Sequence, residues 1–131
     1  MGDDTLIKPK SEDREQIEFI SWVKQNHPGD KVIHIPNGKK RSIVDAVRLK
    51  AMGVTRGIPD LFFPKLLLWI EMKREKGGSL SKEQKDVISE LKSYGHAVAV
   101  CEGAEAAKKF FTDYKSLQYS INDQLNCLKE Q

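Results

Sequence analysis

Apolar residues recur along the chain at helix and strand spacings, and the N-terminal part predicts a helix followed by a strand. Between residues 11 and 26, Phe19, Ile20 and Val23 fall on one face at a period of 3.6 residues. A Pro-Gly pair ends this segment, and residues 32–35 have the β-branched composition of a short strand. The pattern therefore begins with an amphipathic helix that leads into a strand.

A second amphipathic helix is predicted after a turn at residues 36–38. Ser42 stands at its start with Asp45 three residues further on, which is the spacing of a capping box, and Gly53 ends it. Its apolar face consists of Val44, Val47 and Ala51.

Two strands, a third helix and another strand follow in the middle of the chain. Residues 60–63 and 66–73 form a hairpin-like pair joined by Pro64-Lys65, and a Gly-Gly pair breaks the chain after them. The run 96–101 has the small residues of a buried strand with a parallel neighbour. The helix between them is capped by Ser81, and its inward face carries Gln84, Val87, Ile88 and Leu91.

The C-terminal region predicts two further helices. The first covers about residues 104–111, and the second has an apolar stripe of Leu117, Ile121, Leu125 and Leu128. Packing on its own domain is the favoured use of this stripe, with a dimer contact as the alternative. The whole order, α-β-α-β-β-α-β-α-α, predicts a mixed α/β sandwich around a small central sheet.

Length and composition fit one domain. A chain of 131 residues, 39% of them hydrophobic and 31% charged, can bury one core but has no room for a second. Residues 1–10 resemble a poorly ordered, charged leader without a signal-peptide pattern, and the apolar run 66–70 is too short to cross a bilayer. We therefore expect a cytoplasmic protein with no membrane contact.

Cys101 and Cys127 are isolated and indicate neither a disulfide framework nor a zinc site.

The distribution of charge permits nucleic-acid binding. The net charge of +3 is modest, but basic residues cluster in two places. One cluster directly follows a predicted buried strand, at Lys73-Arg74-Glu75-Lys76, and either cluster could neutralise backbone phosphates. A solvated surface is a strong alternative for the other cluster, which comprises Lys39, Lys40, Arg41, Arg48 and Lys50.

Candidate chemistry centres on Asp60, Glu71 and Lys73. Strand side chains alternate faces, so Glu71 and Lys73 point the same way at the end of an apolar strand, and Asp60 can approach from the preceding strand. Two carboxylates, the main-chain carbonyl of Met72 and waters suit Mg²⁺ or Mn²⁺. Such a metal activates a water against a phosphate, and Lys73 could help deprotonate that water or stabilise the transition state. The pattern suggests a metal-dependent nuclease.

A surface turn at Asp60 and a strand-end salt bridge between Glu71 and Lys73 form the alternative. As a bare pattern, Pro-Asp followed by Glu-x-Lys is weak, and the alternative would hold more often than not. Here the pattern falls on two adjacent predicted strands, and an apolar run leads directly into Glu71. That context favours a functional site.

Two helices offer further polar side chains to this site. Extending the apolar face of the first helix backward reaches Gln16 and Glu12, whereas Glu15 lies about a quarter-turn off that face. Ordinary helix polarity explains Glu12 equally well, because acids in a first turn interact favourably with the helix dipole. Gln84 fits a capping box with Ser81, yet it shares a face with apolar residues and should point toward the sheet.

Other reactive residue types give no competing site. His27, His34 and His96 have no His or Cys partner at ligand spacing, so we interpret all three as structural. Cys101 is expected to fill the core rather than react. The sequence contains no Ser-His-Asp arrangement, phosphate-cradling loop or dinucleotide fingerprint.

Several short motifs occur together in one order between about Glu12 and Phe111. They are Glu12-x-x-x-Gln16 ahead of Trp22, Ile35-Pro36-Asn37-Gly38, the run 50–61 that ends in Pro59-Asp60-Leu61, Glu71-Met72-Lys73, residues 80–84, and residues 94–100. In combination they are specific, although none would suffice alone. With them the chain resembles the VRR-NUC (virus-type replication-repair nuclease) proteins of the PD-(D/E)XK nuclease superfamily.

The resemblance implies a restriction-endonuclease-like core with a small mixed sheet flanked by helices, here one domain over residues 1–131 with a helical extension at 112–131. It implies an Mg²⁺- or Mn²⁺-dependent DNA endonuclease in which Asp60 and Glu71 bind metal and Lys73 is the catalytic lysine. Glu12 would be the helix-borne acid near the metal, directly or through a water, with Glu15 still open. Gln84 would be an accessory polar residue.

Small phage-type members of this family resemble Holliday-junction resolvases and tend to be homodimers. We therefore expect a homodimeric endonuclease selective for branched DNA, because two symmetric nicks across a four-way junction need two sites related by a two-fold axis. It would act in the host cytoplasm if phage-encoded. The alternatives are a branched-DNA-binding module that does not cut and a nuclease of the same core that acts on flaps or duplex sites. The expected DNA contacts are Lys39, Lys40, Arg41, Arg56, Arg74 and Lys76.

Overall fold

The computed structural model describes residues 10–36 and 42–130, which form a four-stranded mixed sheet flanked by helices. In their order across the sheet, the strands are β1 (Ile33–His34), β2 (Leu61–Phe63), β3 (Leu68–Lys73) and β4 (Ala97–Glu102). The helices are α1 (Glu12–Asn26), α2 (Ile43–Ala51), α3 (Lys82–Ser93) and α4 (Ala104–Lys129). The first three strands pair antiparallel, whereas β3 and β4 pair parallel across the α3 connection. The predicted mixed α/β architecture is confirmed.

Part of the sequence-based prediction falls outside the described residues. This holds for the first nine residues of the predicted leader and for Asn37 and Gly38 of the predicted turn. It also holds for the basic residues Lys39, Lys40 and Arg41.

The pleat of β3 sorts its side chains between the two faces of the sheet. Leu68, Ile70 and Met72 are fully buried in the core, which α1 and α4 cover. The alternate residues face the side of α3: Trp69, Glu71 and Lys73. One strand therefore supplies the core on one face and charged side chains on the other.

The core centres on aromatic rings contributed by distant parts of the chain. Phe19 of α1 is fully buried, with its ring centroid 6.3 Å from that of Phe63 and 6.1 Å from that of Phe111. These edge-on contacts join α1, β2 and α4, and such aromatic pairs stabilise beyond their buried area.

The buried stripe of α1 is wider than its apolar pattern. It runs through Glu15, Phe19 and Val23, while Glu12 and Gln16 lie half-buried beside it. The prediction that Glu15 lies off the inward face was therefore wrong. The reason is that α1 contacts both β3 and α4, so two neighbours cover a broader arc than one apolar stripe marks out.

The two helices predicted at the C-terminal end form a single helix, α4. No glycine or proline occurs between residues 104 and 129, so nothing in the backbone ends a helix near residue 111. The first turns of α4 pack on the sheet, but the apolar stripe beyond residue 116 is exposed, and the expectation that it packs on its own domain was wrong. Neither α4 nor another helix in the described ranges is long and apolar enough to cross a membrane.

Two elements are more exposed than the sequence pattern predicted. The apolar face of α2 points to solvent, since Val44 is 76% and Val47 64% exposed and no residue of the helix is buried. β4 pairs parallel to β3 as predicted, but it is an edge strand of the described sheet and leaves Val100 exposed. Both departures depend on which neighbours the fold provides, and periodicity does not encode that.

The orientation of α1 can be tested with one pair of substitutions. Phe19→Ala should lower the free energy of unfolding by about 3–5 kcal/mol, because it removes a buried ring from a packed core. Ile17→Ala, at a position on the same helix that is 67% exposed, should change it by less than about 0.5 kcal/mol. Urea unfolding followed by circular dichroism measures both values, and equal losses would contradict the orientation described here.

Candidate metal centre

Three carboxylates from three separate segments meet at one end of the sheet. Glu12 lies in the first turn of α1, Asp60 directly precedes β2, and Glu71 lies on β3. Each offers one oxygen, and these oxygens lie within 4.8 Å of one another. Spacing of this kind lets a single cation contact all three, and an all-oxygen donor set suits Mg²⁺ or Mn²⁺.

Backbone groups from β3 and from the residue after β1 hold Asp60 in this position. The main-chain N–H of Met72 donates to Asp60 Oδ2 at 2.8 Å, and the N–H of Ile35 donates to the Asp60 carbonyl oxygen at 2.8 Å. Leu61, the next residue, pairs with Ile70 in the β2–β3 register. The carboxylate is therefore fixed by strand pairing and not by its loop alone.

Gln84 connects the two charged residues of β3. Its Nε2 donates to Glu71 Oε1 at 2.8 Å, while its Oε1 lies 3.4 Å from Lys73 Nζ and accepts the Ser81 N–H at 2.9 Å. Lys73 Nζ is also 3.4 Å from Glu71 Oε1. Gln84 thus completes the capping box of α3 and contacts the acidic cluster in the same conformation.

Gly57 brings the segment before Asp60 against the first turn of α3. Its φ is +86°, and a Cβ there would lie 2.5 Å from the carbonyl carbon and oxygen of Glu83 and 2.8 Å from the Gln84 nitrogen. A glycine is needed both for the backbone angle and for this close approach. The contact couples the position of Asp60 to the helix that carries Gln84.

His34 is a neighbour of the site that sequence reasoning missed. Its Nδ1 lies 3.1 Å from Gln16 Nε2 and 3.2 Å from the carbonyl oxygen of Asp60. The sequence-based interpretation of His34 as structural rested on the absence of a ligand partner, but β1 pairs with β2 so that His34 faces Leu61, next to Asp60. No local signal in the sequence indicated that pairing.

Glu15 occupies a different environment from Glu12. It is 5% exposed and lies against Gly103, the N-cap of α4, where a Cβ would come within 2.5 Å of Glu15 Oε2. Its Oε1 is 3.9 Å from Lys10 Nζ. A carboxylate at a helix N-terminus is stabilised by the helix dipole, which gives Glu15 a structural explanation that Glu12 lacks.

Burial raises the pKa of every carboxyl in the cluster. Desolvation is the main cause for Glu12 and Asp60, and in both the nearby Lys73 opposes it. The pKa of Glu71 is raised to about 8, first by desolvation and then by the charge of Asp60. In the absence of a cation, desolvation and the charge of Asp60 therefore favour the protonated form of Glu71, and a divalent ion would relieve the repulsion among the three groups.

The expected DNA contacts that the structure describes lie in exposed loops that adjoin the cluster's segments in the sequence. Arg56 is exposed in the segment that leads to Asp60, and Arg74 and Lys76 are exposed just after β3. Arg74 also donates to the carbonyl oxygen of Gly77 at 3.2 Å. Lys73 is different, since its side chain is only 12% exposed and belongs to the cluster itself.

Comparison with known proteins places this architecture among nuclease-like α/β folds. A solved structure described as a VRR_NUC domain protein superposes with a TM-score of 0.69 and 24% identity, over 82% of this chain and 90% of that chain. The VRR-NUC domain profile matches residues 3–105, and no curated protein matches the chain. Because that match covers most of its length, the chain belongs to the VRR-NUC family, which implies a function of nuclease type.

Gly57→Ala should destabilise the protein more than Gly53→Ala. Both glycines have positive φ, but a Cβ at Gly53 meets no atom of residues 10–36 or 42–130 within 4 Å, whereas at Gly57 it meets α3 backbone. Gly53→Ala should therefore lower the free energy of unfolding by about 1–2 kcal/mol from strain alone. Gly57→Ala should exceed that loss, as measured by urea unfolding. Equal losses would show that the close approach to α3 contributes nothing.

The metal-free protein should lose stability as the pH rises from about 5 to above 8. The pKa of Glu71 rises from its ordinary 4.5 to about 8 on folding, so in this window the folded state holds a proton that the unfolded state has released. The stabilisation is complete below the unfolded pKa and disappears as the pH passes the folded one. Thermal melts in EDTA measure the trend, and Glu71→Gln should flatten it; an unchanged slope would contradict the assignment.

Proposed function

We propose that this protein is a divalent-metal-dependent DNA endonuclease that hydrolyses phosphodiester bonds in branched DNA, with a four-way junction as its leading substrate. The observation that carries the proposal is the convergence of Glu12, Asp60 and Glu71 within 4.8 Å, with Lys73 3.4 Å from Glu71. Membership of the VRR-NUC family supports nuclease chemistry at this cluster. We further propose that one nuclease domain, residues 1–131, carries this activity in the cytoplasm.

The donor set determines what the site could hold. Asp60, Glu71 and the main-chain carbonyl of Met72 would bind Mg²⁺ or Mn²⁺, with Glu12 bound directly or through a water. Once bound, the ion would lower the pKa of a coordinated water and offset charge on the scissile phosphate. The raised pKa values of the three carboxyls support this assignment, because the cluster is costly to ionise without a cation.

Lys73 is the group best placed to act on the reacting phosphate. Its ammonium lies at the edge of the acidic cluster, where it can stabilise negative charge on phosphate oxygens or orient the attacking water. Gln84 contacts both Glu71 and Lys73, so it limits the rotamers that the two side chains can adopt. Fixed geometry of this kind lowers the entropic part of the barrier.

Exposed basic residues beside the site support binding to a DNA backbone. Arg56 lies in the segment that leads to Asp60, and Arg74 and Lys76 follow β3, while Lys39, Lys40 and Arg41 add three charges earlier in the sequence. Contacts of this kind recognise phosphates and the shape of the DNA, and they do not read the base sequence directly. They fit a structure-selective enzyme better than a sequence-specific one.

Substitutions at the site should separate catalysis from folding. Asp60→Ala and Lys73→Ala should reduce cleavage of a labelled four-way junction in Mg²⁺ by about 100-fold or more, with an unchanged circular dichroism spectrum. Glu12→Gln should also reduce cleavage, whereas Glu15→Gln, on the same helix but outside the cluster, should cut normally and melt at a lower temperature. Full cleavage by Lys73→Ala would overturn the assignment.

A panel of substrates identifies the DNA structure that is cut. Wild-type protein is incubated with a four-way junction, a flap and a linear duplex, each with Mg²⁺ or with EDTA. Preferred nicking of the junction supports the proposal, while preferred nicking of the flap or the duplex assigns the same core to another substrate. Binding to the junction without nicking in Mg²⁺ would favour a non-cleaving module.

A further inference from the structure

The chain segment between β1 and β2 begins and ends beside the acidic cluster. Ile35, the residue after β1, donates its N–H to the carbonyl oxygen of Asp60 at 2.8 Å, and Asp60 supplies one of the three clustered carboxylates. Residues 36–59, which include α2, connect these two hydrogen-bonded positions. A surface on this connecting segment is therefore tied to the site at both ends.

The connecting segment concentrates the positive charge of the protein. It contains six lysine or arginine residues and a single acid, Asp45, which gives it a net charge of +5. The whole chain carries only +3, so the remainder is net negative. Localised charge of this sign attracts a polyanion, and it is bound at both ends to the residues that would act on a phosphate. The basic residues are Lys39, Lys40, Arg41, Arg48, Lys50 and Arg56.

Helix α2 adds an exposed apolar stripe to this basic segment. Ile43, Val44 and Val47 are 84%, 76% and 64% exposed, and together with Ala51 they fall within an arc of about 100° on the helix. Leu49 lies on the other side of the helix and is half-buried. The helix therefore turns its apolar stripe outward, which indicates a surface for a ligand.

Basic residues border the stripe on both sides. At 100° per residue, Arg48 lies about 40° beyond Val44, and Lys50 lies about 20° before Ile43. Both basic residues are exposed. Asp45 lies about 100° from Val44, away from the stripe. The surface of α2 is therefore an apolar strip between two positive charges, which complements a ligand with flat apolar faces next to phosphates.

Branched DNA offers this combination of surfaces where its arms separate. In a continuous duplex each base pair is stacked on both faces, whereas the pair that ends an arm at a branch lacks one stacking neighbour. Apolar side chains, isoleucine among them, bind DNA by inserting at unstacked base steps. The phosphates of the same strands continue on either side of the branch, within the range of basic side chains.

We propose that α2 binds DNA at the branch point. Ile43, Val44 and Val47 contact the base faces exposed there, while Arg48 and Lys50 contact phosphates on either side. This inference rests on the proposed function for its ligand, branched DNA. It deepens that function by naming the element that distinguishes a branch from a plain duplex.

The position of α2 in the chain places the branch close to the bond that is cut. Ala51 is six residues from Gly57, so the two lie at most about 21 Å apart. Gly57 contacts the first turn of α3, which carries Gln84 of the site. A DNA strand advances 3.4 Å per nucleotide, so about six nucleotides span that distance. We therefore expect cuts within a few nucleotides of the branch.

Binding to two DNA structures tests the apolar stripe. Val44→Gln combined with Val47→Gln should weaken binding to a labelled four-way junction by about 10-fold or more, because two apolar contacts are lost. Binding to a linear duplex should change by less than about 2-fold, since phosphate contacts remain. Leu117→Gln combined with Leu125→Gln makes the same kind of change on α4, at residues that are 57% and 49% exposed, and should bind both DNAs like the wild type.

These affinities are measured by fluorescence anisotropy in EDTA, where binding is observed without metal-dependent cleavage. Circular dichroism checks that both double variants remain folded. Equal weakening of junction and duplex binding by the valine double variant would contradict a role in recognising the branch.

The salt dependence of binding tests the basic borders of the stripe. Arg48→Gln combined with Lys50→Gln should weaken binding to the junction and the duplex by similar factors. It should also lower the slope of log affinity against log salt by about 2, since two phosphate contacts are lost. Lys92→Gln, an exposed position at the opposite end of α3 from Gln84, should leave the slope unchanged.

The possible outcomes separate this inference from the proposed function. If the wild type cuts the junction in Mg²⁺ and the valine double variant binds it as tightly as the wild type, the inference is overturned and the nuclease proposal stands. If the wild type cuts nothing but the double variant loses junction binding, the inference stands and the nuclease proposal is overturned.

Two further results would also overturn the inference. A lower mass of the valine double variant than of the wild type in analytical ultracentrifugation would assign the stripe to a second copy of the chain. Binding to anionic vesicles that is lost in this variant, with DNA binding unchanged, would assign it to a membrane surface.

Discussion

The pleat of β3 links the core of this protein to its acidic site, because consecutive strand residues must point to opposite faces of the sheet. Ile70 and Met72 are buried under α1 and α4, and this forces Glu71 and Lys73 to the other face, against Gln84. The backbone of the same strand also holds Asp60, through the N–H of Met72. A slip of β3 by one residue in register would exchange its apolar and charged sets between the two faces. The packing of the core and the geometry of the site therefore depend on the same register.

The electrostatics of the cluster oppose folding and favour a ligand. Three half-buried or buried carboxyls with raised pKa values are costly to ionise, and the nearby basic groups, with Lys73 the one they share, compensate for them incompletely. Gln84 and the N–H of Met72 satisfy individual oxygens but carry no formal charge. Strongly perturbed carboxyls grouped in this way are typical of functional sites, and a divalent cation would supply the missing charge.

The charge and polarity of the protein surface differ between the region near the site and the distal half of α4. Exposed basic side chains occur in the segments that lead to Asp60 and follow β3, while the distal half of α4 carries an exposed apolar stripe and is nearly uncharged. Helix α4 begins beside the end of β3 and ends in this apolar stripe, so the stripe lies far along the helix from the acidic cluster.

The sequence by itself determined the elements, the alternation that places Glu71 beside Lys73, and the capping box of Gln84, because each depends on neighbours within a few residues. The C-terminal stripe was also visible, although its two predicted helices proved to be one. Only the tertiary structure decided that Glu12 joins the acidic cluster while Glu15 is buried at the start of α4, and that His34 lies next to Asp60. Periodicity defines the faces of an element, but which face is covered depends on strand pairing and helix packing between residues far apart in the chain.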